Sequence, residues 1–352
     1  MLAGPDAMEE LRAEWQDLAE NATSATPFQT WEWQSAWLRH YRRTKRPLIL
    51  TVREGRDLVG LMPVTRSIGV WRTVRSMGCG ASDYLHPLAL AGREDGVARE
   101  VAEHLARTVR PDLIDLHQVR ETQPLAVLTS PDLRMEQATC LLLDLPKTYE
   151  AYLGTLSKSL RYDVRRLEKS LFREGRASVD PVTEDEVGRG LDILFEQHKM
   201  RWRKRGLPGA FLSRAQRFHH DWASMAIQKG WLWLSILRLD SEPVGAIYAM
   251  RKGATCYYYQ AGFDPEKGSI SPGTLLVAAT IRRAIEEGLE HFDFLRGDEP
   301  YKRRWKPQHE LKNYRILRPC NLHRGGIGAS WNEAGGKVEA RIRARLEGRG
   351  IL

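Results

Sequence analysis

The chain has 352 residues, 42% of them hydrophobic, with 54 Lys and Arg against 45 Asp and Glu for a net charge of +9. That length and apolar content suit one large domain or two ordinary ones and argue against a disordered chain. The mild basic excess suits phosphates, acidic cofactors, nucleic acid or an anionic membrane surface and selects none of them; the four cysteines are too far apart for a paired zinc knuckle, a thioredoxin-type site or a disulfide framework.

The opening MLAGPDAMEELRAEW carries acids early and has no apolar core, so no signal peptide is read there. The longest apolar run, WLWLSILRL at 231–239, is far too short to span a bilayer. A cytoplasmic protein is expected, with contact at a membrane surface left open. Residues 8–20 read as a helix, with Leu11, Trp15 and Leu18 at helical spacing. A Trp-rich helix follows the break at Pro27. PLILTVREGRDLVGLMPVTRS reads as two strands about a charged turn. A strand is expected near 70–78, a helix over 94–109, and strands at PDLIDLHQV and TCLLLDLP. Helices are expected over 147–174, 183–204 and 213–229. Three strands in a meander follow, then the helix SPGTLLVAATIRRAIEEG, then HFDFLRG and the closing strand ELKNYRILRP.

A weak repeat links Asp57-Leu58-Val59-Gly60-Leu61 with Glu242-Pro243-Val244-Gly245-Ala246. Each pentapeptide follows an apolar strand and a charged turn. Two copies of one α/β unit would account for it. The division expected is 1–145, 146–320, and a basic helical tail over 321–352.

Four stretches can carry chemistry. At Ser271-Pro272-Gly273-Thr274 a helix begins, with Ser271 as N-cap and Pro272 at the first helical position. Its exposed amides can cradle a pyrophosphate, or the stretch can be an ordinary helix start. In 157–175, Leu160, Val164, Leu167 and Leu171 form an apolar stripe, and Lys158, Arg161, Arg165 and Lys169 a basic one. The basic stripe can meet phosphates of a cofactor, lipid, sugar nucleotide or RNA, or be a solvated face. His198 shares a helical face with Leu191, Leu194, Phe195 and Trp202; it is either a general base or a core histidine. Last, HFDFLRGDEPYKRRW ends a strand in Asp293, Arg296, Asp298, Glu299, Tyr301 and Lys302, where α/β folds place ligands.

These pieces resemble a family. The meander, GFDPEKGSISPGTLL and FDFLRGDEPYKRRW, with LFEQHKMRWRKRGLPGAF and Phe28-Gln29-Thr30-Trp31-Glu32-Trp33, resemble the CelD/BcsL-type acyltransferases over about 26–318. These are proteins of the acyl-CoA N-acyltransferase (GNAT) fold, similar to the Fem aminoacyl transferases, which carry two such units in tandem. The resemblance implies an α/β (α+β) fold of tandem units, each a mixed central sheet flanked by helices, the first unit degenerate. It implies acetyl-CoA or another acyl-CoA as co-substrate, held at Ser271, Pro272, Gly273 and Thr274, and no metal. Here only Gly273 stands at the turn, where the family pattern has more glycines.

The expected reaction is attack by an amine or hydroxyl of a sugar, lipid or polysaccharide precursor on the thioester. Asp298 or Glu299 would be the base, Tyr301 the proton donor to sulfur, and Lys302 the charge stabiliser. His198, Trp202, Asp293, Arg296 and Arg161 are candidate substrate contacts, with Asp83, Tyr84 and His86 facing the cleft from the first unit. No cysteine or serine has an evident base beside it, so no covalent intermediate is expected. An aminoacyl-tRNA donor is the runner-up partner, and a non-catalytic subunit of a polysaccharide-synthesis system the third reading.

Overall fold

The computed structural model describes residues 1–3, 6–41, 45–67, 72–203 and 211–321. The basic tail lies outside them from residue 322 on, as does residue 204, the last of the helix expected over 183–204. In chain order the strands are β1 (Leu2–Ala3), β2 (Lys45–Glu54), β3 (Asp57–Ser67), β4 (Thr73–Ser76), β5 (Leu88–Ala89), β6 (Leu113–Arg120), β7 (Arg134–Asp144), β8 (Ala177–Pro181), β9 (Leu232–Leu239), β10 (Glu242–Lys252), β11 (Thr255–Phe263), β12 (His291–Arg296) and β13 (His309–Pro319). The helices are α1 (Asp6–Glu10), α2 (Arg12–Asn21), α3 (Trp31–Tyr41), α4 (Glu94–His104), α5 (Pro124–Leu128), α6 (Tyr149–Thr155), α7 (Lys158–Leu167), α8 (Val187–Arg203), α9 (Ser213–Gln228), α10 (Pro272–Glu286) and α11 (Pro300–Arg303).

The single helix expected over 147–174 is two. Thr148 caps α6 by accepting from the Ala151 amide, and Ser157 starts α7 by accepting from the Leu160 amide. β8 and α5 escape the sequence reading because each is five residues long, too short to show a period.

The chain forms two compact units. One comprises residues up to Thr139 and those from Leu311 on; the other is Cys140–Glu310. In the first unit the strands run β1-β2-β3-β4-β6-β13, with β5 also on β3; in the second they run β7-β12-β11-β10-β9-β8. The first unit's sheet therefore ends in β13, a strand that follows the whole second unit in sequence.

Register shows that the two units share one plan. β4 and β6 are parallel and pair Thr73, Val74 and Arg75 with Leu113, Ile114 and Asp115. β11 and β12 are parallel and pair Thr255, Cys256 and Tyr257 with His291, Phe292 and Asp293. The repeated pentapeptides mark the same bulge. Val59 falls outside the β2–β3 register and Val244 outside the β9–β10 register. The carbonyls of these valines accept from Leu90 and Asp264 respectively. The glycine that follows each valine admits a helix. A Cβ on Gly60 would stand 2.3 Å from a methyl of Val97 in α4, and one on Gly245 would stand 3.1 Å from a methyl of Leu276 in α10.

The units part at one strand. In the second, β11 runs unbroken to Phe263. In the first, residues 77–87 interrupt that course before β5 resumes it, since Gly60 pairs with Ala89 as Gly245 pairs with Phe263. The inserted residues fill their own unit: Tyr84 is fully buried, and the Leu85 amide donates to the Gln118 carbonyl on β6.

One core cluster of the second unit lies under α7 and α10. Leu160, Val164, Leu167 and Leu171 pack there with Leu275, Leu276 and Ile281 of α10 and with Phe292 and Phe294. The apolar stripe is thus buried, as its spacing predicts. α8 covers the other face, against β10 and β11.

Candidate active site

The site in the second unit begins where β11 and β12 separate. Their pairing ends at Tyr257 and Asp293. Beyond that point β11 carries a bulge, because Tyr248 pairs with Gln260 but Ala249 with Tyr258, leaving Tyr259 out of register. β12 also breaks register against β7 between Asp293 and Arg296. The buried Asp293 enforces this break. Its carboxylate accepts from the Leu295 amide at 2.7 Å, and Leu295 takes a left-handed φ of 57°. Two parallel strands that diverge at their C-terminal ends leave a crevice in which backbone groups lack ladder partners.

The helix that follows β11 opens at that same end of the sheet. Ser271 precedes α10 in a left-handed conformation (φ 47°) and its hydroxyl makes no cap. This departs from the capping role expected of it. The Ser271 carbonyl instead accepts from the amides of Thr274 (2.9 Å) and Leu275 (3.2 Å). Pro272 contributes no N–H, so Gly273 supplies the first helical amide, which has no acceptor within the helix. Gly273 also lies over Phe263: a Cβ there would stand 3.1 Å from the ring.

The charged stretch after β12 is largely knitted to itself. Lys302 is buried; its ammonium donates to the carbonyls of Arg296 (2.8 Å) and Gly297 (3.3 Å) and lies 3.0 Å from Glu299 Oε2. Two carbonyls thus accept from the ammonium, and the Glu299 carboxylate balances its charge. Asp298 is gripped by the Arg303 guanidinium through Nε and, at 2.7 Å, through Nη2; Arg303 also reaches Glu310 at 2.6 Å. Two salt bridges with Glu310 and Asp298 hold the Arg303 guanidinium protonated. Tyr301, by contrast, is exposed. Below the turn the buried Tyr152 hydroxyl donates to the Trp305 carbonyl at 2.9 Å, tying α6 to the end of the stretch.

His198 is buried on α8, edge-on to Phe211 at 4.9 Å and 5.7 Å from the half-buried Trp202. α8 crosses β11 at Gly262, beside the bulge. Arg161 lies half-buried on α7 and donates to the Gly154 carbonyl at 3.2 Å. Asp83 and Tyr84 belong to the inserted residues of the first unit. Both are buried: the Asp83 carbonyl accepts from Asn313 at 2.6 Å, and Arg120 lies 3.9 Å over the Tyr84 ring. They are core residues of their unit, and so is His86, whose carbonyl accepts from Gln29.

Two groupings escaped the sequence reading. One is aromatic: Tyr259, the bulged residue, stands 5.2 Å from both Tyr248 and the buried His219. Burial, and then His220, lowers the His219 pKa to about 3, so the ring is neutral at physiological pH. The other is in the first unit. His117 Nε2 lies 3.0 Å from Asp115 Oδ1, and the other ring nitrogen lies 2.8 Å from Gln137 Nε2. The alternation Asp115-Leu116-His117 on a strand was the available signal, since it puts both polar groups on one face. No group of three or more His, Cys, Asp or Glu converges as a metal site among the described residues.

Residues 158–303 match the Acetyltransferase (GNAT) domain family. The matched span runs from the start of α7 to the end of α11, and so contains the parting strands, the α10 start and the charged turn. A comparison with curated protein sequences finds no match. Among solved structures, FemX superposes with a TM-score of 0.65 at 11% identity, covering 89% of this chain and 97% of that one. The C-terminal domain of a putative lysylphosphatidylglycerol synthetase from Agrobacterium fabrum gives 0.57 at 13% identity, covering 94% and 96%. L-PGS from Bacillus licheniformis gives 0.55 at 15% identity, covering 89% and 92%. At these identities the likeness is one of fold. The chain is mixed α/β, its second unit matches the GNAT domain family over residues 158–303, and its first unit repeats the same strand plan.

Proposed function

We propose that the second unit transfers an acyl group, acetyl in the simplest case, from a CoA thioester to an amine or hydroxyl of a sugar, lipid or polysaccharide precursor. The observation that carries this reading is the parting of β11 and β12 at the bulge, with the α10 start at the same end of the sheet. The thioester arm would run between the strands and the pyrophosphate would meet the Gly273 amide and the helix dipole. Tyr301 is the proton donor to the leaving sulfur. Glu299 is the base, acting through water, with Lys302 fixing its position. Asp298 anchors the turn through Arg303. His198, Trp202 and Tyr259 would shape the acceptor side. The resemblance of the segments at 28–33, 194–211 and 292–302 supports a CelD/BcsL-type assignment within the fold.

Titration calorimetry of acetyl-CoA and of free CoA tests it, with Gly273→Glu as control. Micromolar binding by the wild type, lost in the variant, supports the reading. A folded wild type that gives neither heat nor thermal shift with either ligand refutes it.

A second reading keeps the fold and changes the donor to an aminoacyl-tRNA. Lys158 and Arg165 are exposed and Arg161 half-exposed on α7, opposite its buried stripe, and Tyr162 beside them is 66% exposed. FemX and the synthetase domains share this fold, which makes an aminoacyl donor and a phospholipid acceptor reasonable classes to test. RNA binding that falls steeply with salt would favour it. A folded protein binding neither CoA nor RNA would leave a non-catalytic subunit.

A further inference from the structure

α7 has two opposite faces. Leu160, Val164, Leu167 and Leu171, the last on the helical turns that continue α7 to Arg173, are buried in the cluster that holds Leu275 of α10 and Leu237 of β9. At about 100° per residue, Lys158, Tyr162, Arg165, Arg166 and Lys169 fall within roughly a third of the circumference, centred opposite that stripe. All five are exposed.

The acids of this stretch stand aside. Asp163 and Glu168 are half-buried on the flanks of the helix. Glu168 accepts from the Tyr149 hydroxyl at 3.1 Å and lies 3.9 Å from Arg282 Nη1. Glu150 of α6 does reach the exposed face, where it pairs with Arg165 at 2.6 Å. Among the described residues no ion pair joins Lys158, Arg166 or Lys169 to a carboxylate. An ordinary solvated helix face mixes both signs and offsets them at i, i+4. Here the cations are segregated, and Tyr162, 66% exposed, stands among them.

That combination selects a partner. A single nucleic-acid strand is held by successive aromatic platforms along a groove. The outer face of α7 offers one aromatic on the surface of one helix. An anionic bilayer asks for cations in a row near its phosphates and an amphipathic aromatic at headgroup level.

We propose that the outer face of α7 docks this protein on an anionic phospholipid surface, with Lys158, Arg165, Arg166 and Lys169 against the phosphates and Tyr162 at the headgroups. The helix lies along the surface and keeps its apolar side in the protein core. The contact is therefore peripheral and weakened by salt. Docking brings the second unit to a lipid-borne acceptor. That consequence rests on the acyl-transfer reading; the docking itself does not.

Cosedimentation of the full chain with vesicles tests it, using phosphatidylcholine alone and an equal mixture of phosphatidylcholine and phosphatidylglycerol. The mixed vesicles should carry the protein down, the neutral ones should not, and sodium chloride should release it. Lys158→Gln, Arg166→Gln and Lys169→Gln should each lower the affinity about 5-fold, and the three together about 100-fold. Tyr162→Ala should weaken binding without altering its salt dependence. Arg56→Gln, Arg99→Gln and Arg217→Gln together remove the same charge from exposed positions elsewhere and should leave binding near wild type. Binding that survives the triple change on α7, or that the control triple weakens as much, overturns the proposal, since another basic part of the chain or net charge alone then carries it. A protein that ignores the vesicles but binds tRNA through the same residues overturns it as well. Gly273→Glu should dock as the wild type does. Docking by a protein that binds no CoA would leave this inference standing while the acyl-CoA reading falls.

Discussion

A Cβ on Gly262 would stand 2.5 Å from the backbone nitrogen of His198 and 2.8 Å from the Leu194 carbonyl oxygen. The obstacle is helix backbone, which no rotamer change relieves. α8 can cross β11 at this point only over a residue with no side chain, and that crossing carries His198 and Trp202 to the bulge. Gly262→Ala must push the helix off the sheet, at a cost of roughly 1–3 kcal/mol. Urea denaturation should show the midpoint falling with an unchanged slope. A stability equal to wild type would mean that α8 does not pack as described.

Lys302 is a structural clamp before it is anything else. Lys302→Met keeps the bulk but strands the carbonyls of Arg296 and Gly297, and should lower stability by roughly 1–3 kcal/mol. Lys302→Arg should not restore it, because a planar fork cannot reproduce a compact three-donor point. Thermal melts of the two variants check this. A Lys302→Met protein as stable as wild type would return the ammonium to a purely functional role.

Tyr301 gives the opposite expectation. It is 37% exposed and reachable by a ligand. Under the acyl-transfer reading, Tyr301→Phe should leave the melting temperature and CoA affinity unchanged and lower kcat by roughly 100-fold. An unaltered kcat would remove it from the mechanism.

Acid should destabilise the protein through two buried histidines. His86, through burial and then the Arg120 charge, has its pKa lowered from 6.5 to about 3, and His219 is lowered to about 3 as well. Between these values the unfolded chain binds more protons than the folded one. Their contribution to stability is therefore complete above pH 6.5 and declines as pH falls toward 3, by at most about 1.4 kcal/mol per pH unit for each histidine. Urea midpoints measured from pH 7 to pH 4 should trace that decline, and His219→Leu should remove one histidine's share of the slope. A flat profile would show that the two rings are not buried neutral.

Much of the fold was legible in the sequence. The hairpin at 47–67, the meander at 232–263 and the helix from Pro272 carry strong periods bounded by turn residues, and each formed. The pentapeptides at Val59-Gly60 and Val244-Gly245 were a true mark of duplication, since bulge and glycine together specify a local backbone and a close helix. Charge and aromatic content also pointed to the turn after β12, where a strand ends among acids, bases and a tyrosine.

What only the tertiary structure decided was which groups are engaged with which. Local spacing is blind to strand exchange, so nothing in the sequence told that β13 completes the first unit or that Cys140–Asp144 begins the second. It could not tell that Lys302 turns inward to two carbonyls and the Glu299 carboxylate while its neighbour Tyr301 stays exposed, because a helical turn of four residues has no period to read. Nor could it join Asp115 to Arg75 and Arg315, which meet because strands far apart in sequence lie side by side. Periodicity along the chain determines which faces are buried; the chemistry of a polar group depends on the partners that folding brings to it, and those partners come from elsewhere in the chain.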